Sequence, residues 1–179
     1  MNIQSAINQG AEILKNKFFL NPYLDSEILM SKVINKDKKY LLLNAQNKIE
    51  ENNLNLFKKL IDERSKGKPV SYLTNKKLFW KSEFFVTEDT LIPRPDTELI
   101  VENILNLTKN KHKLSILDIG IGSGCILLSV LSERRDFYGT GIDISKNCIK
   151  IANMNGNNLK VNTRLKLYKS NVDKFTLGK

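Results

Sequence analysis

The run Asp118-Ile119-Gly120-Ile121-Gly122-Ser123-Gly124 holds the residues best suited to chemistry. Its three alternating glycines let the backbone turn tightly and come close to a ligand. The apolar residues 114–119 predict a short buried strand before the turn, and residues 125–133 predict a helix after it. The first N–H groups of such a helix have no partner within it and face the same ligand. Dinucleotide folds carry G-x-G-x-x-G with a pyrophosphate over the helix N-terminus. Here the spacing is G-x-G-x-G and Cys125 holds the third fingerprint position, so the loop is tighter. Asp143 follows a second predicted strand, 137–142, about 20 residues after the loop, where a carboxylate can accept hydrogen bonds from both hydroxyls of a ribose. A third predicted strand, 164–168, leads to Ser170-Asn171-Val172, where a polar side chain can meet an adenine amino group.

Each feature also has a plainer reading. A lone glycine-rich turn is structural or binds another nucleotide. Asp143 by itself can cap the next helix, and Asn171 by itself is a turn residue. Their order and intervals within one βαβαβ unit point instead to an adenosyl cofactor. Cys125 opens a helix, where a thiol pKa can fall, but a small packing residue suits the place equally. Cys148 falls at a helical packing position, and His112 lies in a polar loop, Lys109-Asn110-Lys111-His112-Lys113. No His, Cys or carboxylate set has metal spacing, and no Ser–His–Asp set is assembled.

Strands alternating with helices from residue 113 onward predict a parallel, Rossmann-like sheet. Ser145 is read as the cap of a helix reaching Asn155, with Gly156 near its end. The first 65 residues read as helices. In 3–17, Ile3, Ala6, Ile7, Ala11 and Leu14 recur at helical spacing. Asn21-Pro22 signals a second start, with asparagine as cap and Leu24, Ile28 and Val33 on the buried face. A short helix covers 40–43, and a longer one covers 51–65 with Leu54, Phe57, Leu60 and Ile61 inward. Gly67 and Pro69 end it. Leu78, Phe79, Trp80, Phe84, Phe85 and Val86 read as a hairpin. Pro93 and Pro95 bracket Arg94 in an extended segment. Asp96 or Thr97 then caps a helix to about residue 109, with Ile100, Ile104 and Leu107 on one face. The expected organisation is a helical bundle over 1–69, a hairpin and proline-rich linker over 70–95, and an α/β domain over 96–179.

The apolar fraction of 41% suits a folded protein. No apolar run nears the roughly 20 residues of a bilayer span, and the N-terminus has no secretory pattern. Two cysteines suit a reducing compartment, which predicts a cytoplasmic protein. The net charge of +10 invites a nucleic-acid reading. Against it, lysine outnumbers arginine about five to one and the lysines are scattered. Direct action on nucleic acid is therefore not expected.

The chain resembles the bacterial peptide chain release factor glutamine methyltransferases, the HemK or PrmC proteins, over nearly its whole length. The specific stretches are Gly67-Lys68-Pro69-Val70-Ser71-Tyr72-Leu73-Thr74 with Phe79-Trp80, and Thr90-Leu91-Ile92-Pro93-Arg94-Pro95-Asp96-Thr97-Glu98. Pro22 with Leu24-Asp25-Ser26-Glu27-Ile28-Leu29 matches the family's second helix, and the glycine run its motif I. The resemblance implies an N-terminal domain that docks the substrate and a class I methyltransferase domain. It implies S-adenosylmethionine as cofactor and class I release factors as partners, methylated on the glutamine amide of their Gly-Gly-Gln loop. It places the methionine part over Gly120, Ile121, Gly122, Ser123 and Gly124, the ribose at Asp143, the adenine near Asn171 and Val172, and the substrate near Pro93, Arg94 and Pro95. Members commonly carry an acidic residue and an aromatic where Asn171 and Val172 stand. The family's substrate motif, Asn-Pro-Pro-Tyr, follows a fourth strand, and this chain reaches Lys179 without it. No residue is therefore assigned as catalytic, and the domain is expected to hold three strands, with the first left open at one edge. A truncated gene product, a split protein completed by another chain and a partial sequence all fit. The remaining alternatives are a nucleic-acid amino-methyltransferase and a non-catalytic remnant that docks on release factors.

Overall fold

Asn2 accepts a hydrogen bond from the Ser5 N–H at 2.7 Å and so opens the first helix of the computed structural model, which describes residues 1–176. Residues 177–179, the end of the segment assigned above to the α/β domain, lie outside the described residues. The chain divides into two units, Met1–Thr74 and the part from Asn75 onward.

In the first unit, α1 (Ile3–Lys15) buries Ile3, Ala6, Ile7, Ala11 and Leu14, the face its spacing predicts. Helix α2 (Pro22–Ile34) starts on its proline, but Asn21 makes no side-chain cap bond. Its buried face also differs from the expected one. Ser26, Glu27, Leu29 and Met30 are buried, whereas Leu24 and Ile28 are 46% and 37% exposed. Apolar residues surround this helix, so periodicity could not select a face. Small residues select it instead. A Cβ on Gly10 would lie 2.6 Å from Ser26 Oγ, and that hydroxyl donates to the Ile7 carbonyl at 2.8 Å. The buried Glu27 is paired with Lys38 at 2.8 Å. Asp37 caps α3 (Lys38–Leu43), and α4 (Glu51–Ser65) buries Phe57 and Ile61, with Leu54 and Leu60 partly buried beside them. Arg64 bonds Asp25 at 2.8 Å and lies 3.9 Å over the Phe19 ring. Gly67, at φ 99°, ends α4. Val70–Thr74 then forms a further helix, α5, within this unit, where a linker was expected.

The second unit begins with a hairpin, β1 (Lys76–Phe79) and β2 (Ser82–Phe85), in the register Lys76↔Phe85. At its tip the Trp80 N–H donates to Glu98 at 2.8 Å, and the indole N–H donates to Glu133 at 2.8 Å. A 3-10 turn, Pro95–Thr97, leads into α6 (Glu98–Leu107). Neither Asp96 nor Thr97 caps α6 through its side chain; Thr97 holds the cap position without such a bond. The predicted face is buried only in part, with Ile104 half-buried. Val101 is the residue α6 buries, while Ile100 and Leu107 are 47% and 78% exposed.

Three parallel strands follow, β3 (Ser115–Ile119), β4 (Tyr138–Asp143) and β5 (Leu165–Lys169), adjacent in that order. Helices α7 (Cys125–Glu133) and α8 (Lys146–Asn158) connect them. This is the α/β fold expected from the sequence. Among the described residues β3 pairs with β4 alone, which leaves its other edge open as expected; Ile119, on a strand read as buried, is 56% exposed. The Arg164 guanidinium donates to the carbonyls of Leu131, Arg134 and Phe137 at 2.8, 3.0 and 2.7 Å. It thus ties the last turn of α7, at Leu131, to the residue before β4, while the Arg134 carbonyl also accepts the Phe137 N–H at 3.2 Å. Arg164→Met keeps the aliphatic bulk and strands the Leu131 and Phe137 carbonyls, so it should cost about 2 kcal/mol in chemical denaturation. A loss under about 1 kcal/mol would mean that water replaces the guanidinium.

Candidate functional site

The parallel sheet brings the glycine loop, Asp143 and Ser170-Asn171-Val172 to the C-terminal ends of β3, β4 and β5, the end where open α/β sheets bind ligands. Gly120, Gly122 and Gly124 have φ of 76°, 55° and 83°, which a side chain would strain. The N–H groups of Gly120 and Ile121 both donate to the Ile142 carbonyl, at 2.8 and 3.0 Å, and the Gly124 N–H closes a turn onto Ile121 at 2.8 Å. A Cβ on Gly120 would meet nothing within 4 Å. The turn therefore has open space over it, a cradle that a side chain would occupy. Ile121 and Ser123 do the opposite. Both are buried, and the Ile121 side chain fills the place a Cβ on Gly141 would need.

Asp143 braces the glycine loop and the turn that leads into α8. One carboxylate oxygen accepts the Gly122 N–H at 3.0 Å, fixing the middle of the loop. The other accepts the Ser145 N–H at 2.8 Å. The Ser145 hydroxyl in turn accepts the Cys148 N–H at 3.3 Å and caps α8. An ionised carboxylate has about four acceptor sites, so roughly two remain for a ligand's hydroxyls. Asn171 turns its carbonyl oxygen back on the chain, accepting the Asp173 N–H at 3.2 Å, and Val172 is 48% exposed. Pro93 is buried and Arg94 and Pro95 are exposed. The Arg94 carbonyl accepts the Thr97 N–H at 3.0 Å. Among the described residues no hydrogen bond links these three to the glycine loop.

Burial raises the Asp118 pKa above its ordinary value, the Leu127 N–H opposes the shift, and the charge on Asp143 adds to it. A carboxylate whose folded pKa lies above its unfolded one binds its proton more tightly when folded. Its ionisation therefore costs stability, and the cost appears as pH rises from about 3.8 through the raised pKa. Asp118→Asn should unfold at a higher temperature than the parent at pH 7, and the difference should close below about pH 3.8. A variant less stable than the parent at pH 7 would refute this. Burial also raises the thiol pKa values of Cys125 and Cys148, which keeps both protonated and argues against a nucleophile. Among the described residues, no group of three or more His, Cys, Asp or Glu could hold a metal ion. No helix there is long and apolar enough to cross a membrane.

Sequence reasoning missed one residue. Asn155 on α8 is 1% exposed and bonds both Phe85 and the Ser123 carbonyl of the glycine loop. The signal was a polar residue on the buried stripe of Cys148, Ile151 and Ala152, at helical spacing.

Parallel strands joined by helices, with a glycine loop and a carboxylate meeting at their C-terminal ends, make the second unit a Rossmann-like α/β fold. Comparison with known proteins identifies its family. Residues 5–74 match the model of the PrmC N-terminal domain. The release factor glutamine methyltransferase of Leptospira interrogans is 39% identical over 155 residues, covering 86% of this chain and 54% of its own length. That of Buchnera aphidicola subsp. Baizongia pistaciae is 40% identical, with coverages of 90% and 58%. That of Clostridium acetobutylicum is 34% identical, with coverages of 93% and 59%. The chain belongs to the release factor glutamine methyltransferase family and spans 54–59% of the length of these three relatives.

Proposed function

We propose that the second unit binds S-adenosylmethionine and that the protein acts in methylating the glutamine side-chain amide of the Gly-Gly-Gln loop in class I release factors. The observation that carries this reading is the bond from the Gly122 N–H to Asp143. It sets the loop that would cradle the methionine part beside the carboxylate that would receive the ribose. Gly120, Gly122 and Gly124 would offer backbone to the methionine part. Ile121 and Ser123 would hold the loop's shape, and Asn171 and Val172 would border the adenine. The bound cofactor supplies an electrophilic methyl group. An amide nitrogen is a poor nucleophile because its lone pair is delocalised into the carbonyl, so positioning must supply much of the rate. Met1–Thr74, which contains the PrmC N-terminal domain match, would dock the release factor, with Pro93, Arg94 and Pro95 nearer the substrate.

A nucleic-acid substrate has less support. Arg64, Arg134 and Arg164 are bonded to carboxylates or backbone carbonyls within the protein, which removes them as phosphate contacts. The test is tritiated methyl transfer from S-adenosylmethionine to a purified release factor, with calorimetry of S-adenosylhomocysteine alongside. Incorporation that is lost when the Gly-Gly-Gln glutamine is replaced supports the whole reading. Binding without incorporation supports the cofactor site alone. Absence of both overturns it. Incorporation into nucleic acid and none into release factor favours the amino-methyltransferase alternative.

A further inference from the structure

Asn155 uses its whole amide inside the second unit. Its oxygen accepts the Phe85 N–H at 2.8 Å, and its nitrogen donates to the carbonyls of Phe85 at 3.0 Å and Ser123 at 2.9 Å. The hairpin register explains why Phe85 needs it. The Val86 N–H bonds the Asn75 carbonyl, so Lys76 and Phe85 form the pair whose backbone groups point away from each other. Phe85 would otherwise have an N–H and a carbonyl without partners, a state buried backbone avoids. The second amide hydrogen does something else. It fixes the Ser123 carbonyl from one side while the Gly124 N–H is held by the Ile121 carbonyl at 2.8 Å, so the peptide between Ser123 and Gly124 is gripped at both ends.

We infer that Asn155 is a positioning residue for the cofactor loop: by holding the Ser123 carbonyl inward, it keeps that oxygen away from the amino-acid end of the bound cofactor. The inference rests on the cofactor reading above. The cofactor's carboxylate needs N–H donors, and a carbonyl oxygen swung into its place would repel it. Helix α7 begins directly after this peptide, so its rotation would also misdirect the N–H groups of the first turn. The hairpin thereby acts on the site. Phe85 orients Asn155, and Asn155 orients the loop.

The test compares two ligands by calorimetry on the 179-residue chain. S-adenosylhomocysteine carries the amino-acid end, and 5′-methylthioadenosine lacks it. Asn155→Leu should bind S-adenosylhomocysteine about tenfold more weakly while holding 5′-methylthioadenosine within about twofold, one hydrogen bond's worth of selectivity. Equal weakening of both ligands would reduce Asn155 to general support of the fold, and an unchanged affinity for both would remove it from the site; either result overturns the inference. If Asn155→Leu does not fold, Asn155→Ser, which leaves room for water beside Phe85 but breaks the bridge, is read against the same two ligands. A parent chain that binds neither ligand overturns the cofactor reading and this inference with it.

Discussion

Gly141→Val should lower the stability of the second unit by about 2 kcal/mol and weaken cofactor binding at the same time. Two effects oppose each other at this position. Glycine inside a strand is unfavourable by roughly 0.5–1 kcal/mol relative to alanine, and a β-branched residue suits a strand better still. Propensity alone therefore predicts stabilisation. Packing predicts the reverse. A Cβ on Gly141 would sit 2.2 Å from Ile121 Cδ1 and 2.9 Å from Leu167 Cδ2, and overpacking a filled interior costs about 1–3 kcal/mol. Ile121 is 5% exposed, so its side chain has little room to turn aside and passes part of the strain to the loop that carries it. The clash outweighs the propensity gain, and its effect falls on the cofactor loop. Adding Ile121→Ala to Gly141→Val should restore at least about 1 kcal/mol of the loss, since contacting positions couple at that scale. Chemical denaturation of the two single variants and the double variant decides this. Strict additivity would mean that the strain goes elsewhere.

The same glycine marks the limit of what the sequence could convey. Element types were legible because period and punctuation agreed. Residues 51–65 carry their apolar residues at helical spacing, and Gly67 stops the helix. The glycine loop and Asp143 were legible as a pair because both stand at strand ends, which fixes where the fold must bring them. What failed was the choice of face on helices whose apolar residues spread beyond one stripe. In α2 that choice depends on Gly10 and Ser26 meeting across two helices, a contact absent from either segment read alone. In α6 Ile100, Ile104 and Leu107 looked like a core face, yet the inward stripe is centred on Val101 with Ile104 beside it, and Ile100 and Leu107 stay exposed. Caps failed for a related reason. Asn21 and Thr97 are suitable residue types, but Pro22 and the 3-10 turn at Pro95–Thr97 already shape those starts. Asn155 escaped notice because its partners lie in a hairpin and a loop remote in sequence, and only the folded chain brings them to one amide.

Asp143→Ala should weaken S-adenosylhomocysteine binding by about 2 kcal/mol, roughly thirtyfold, and 5′-methylthioadenosine binding by a similar factor. The second half of that expectation separates Asp143 from Asn155, because both ligands carry the ribose. Two contributions are mixed in the loss. The carboxylate would accept bonds from the ribose hydroxyls, and it also holds the Gly122 N–H at 3.0 Å and the Ser145 N–H at 2.8 Å. Asp143→Asn does not separate them cleanly. With both carboxylate oxygens already facing N–H donors, the amide's NH2 must oppose one of those donors. A ligand-side change does separate them. An analogue of 5′-methylthioadenosine lacking both ribose hydroxyls removes the ribose contacts and leaves the loop intact. If the carboxylate binds the ribose, the analogue should bind the parent protein about as weakly as the full ligand binds Asp143→Ala, and the two losses together should fall short of their sum. If the losses add, Asp143 acts only by bracing the loop and holding the cap residue Ser145, and the ribose must find its acceptor elsewhere.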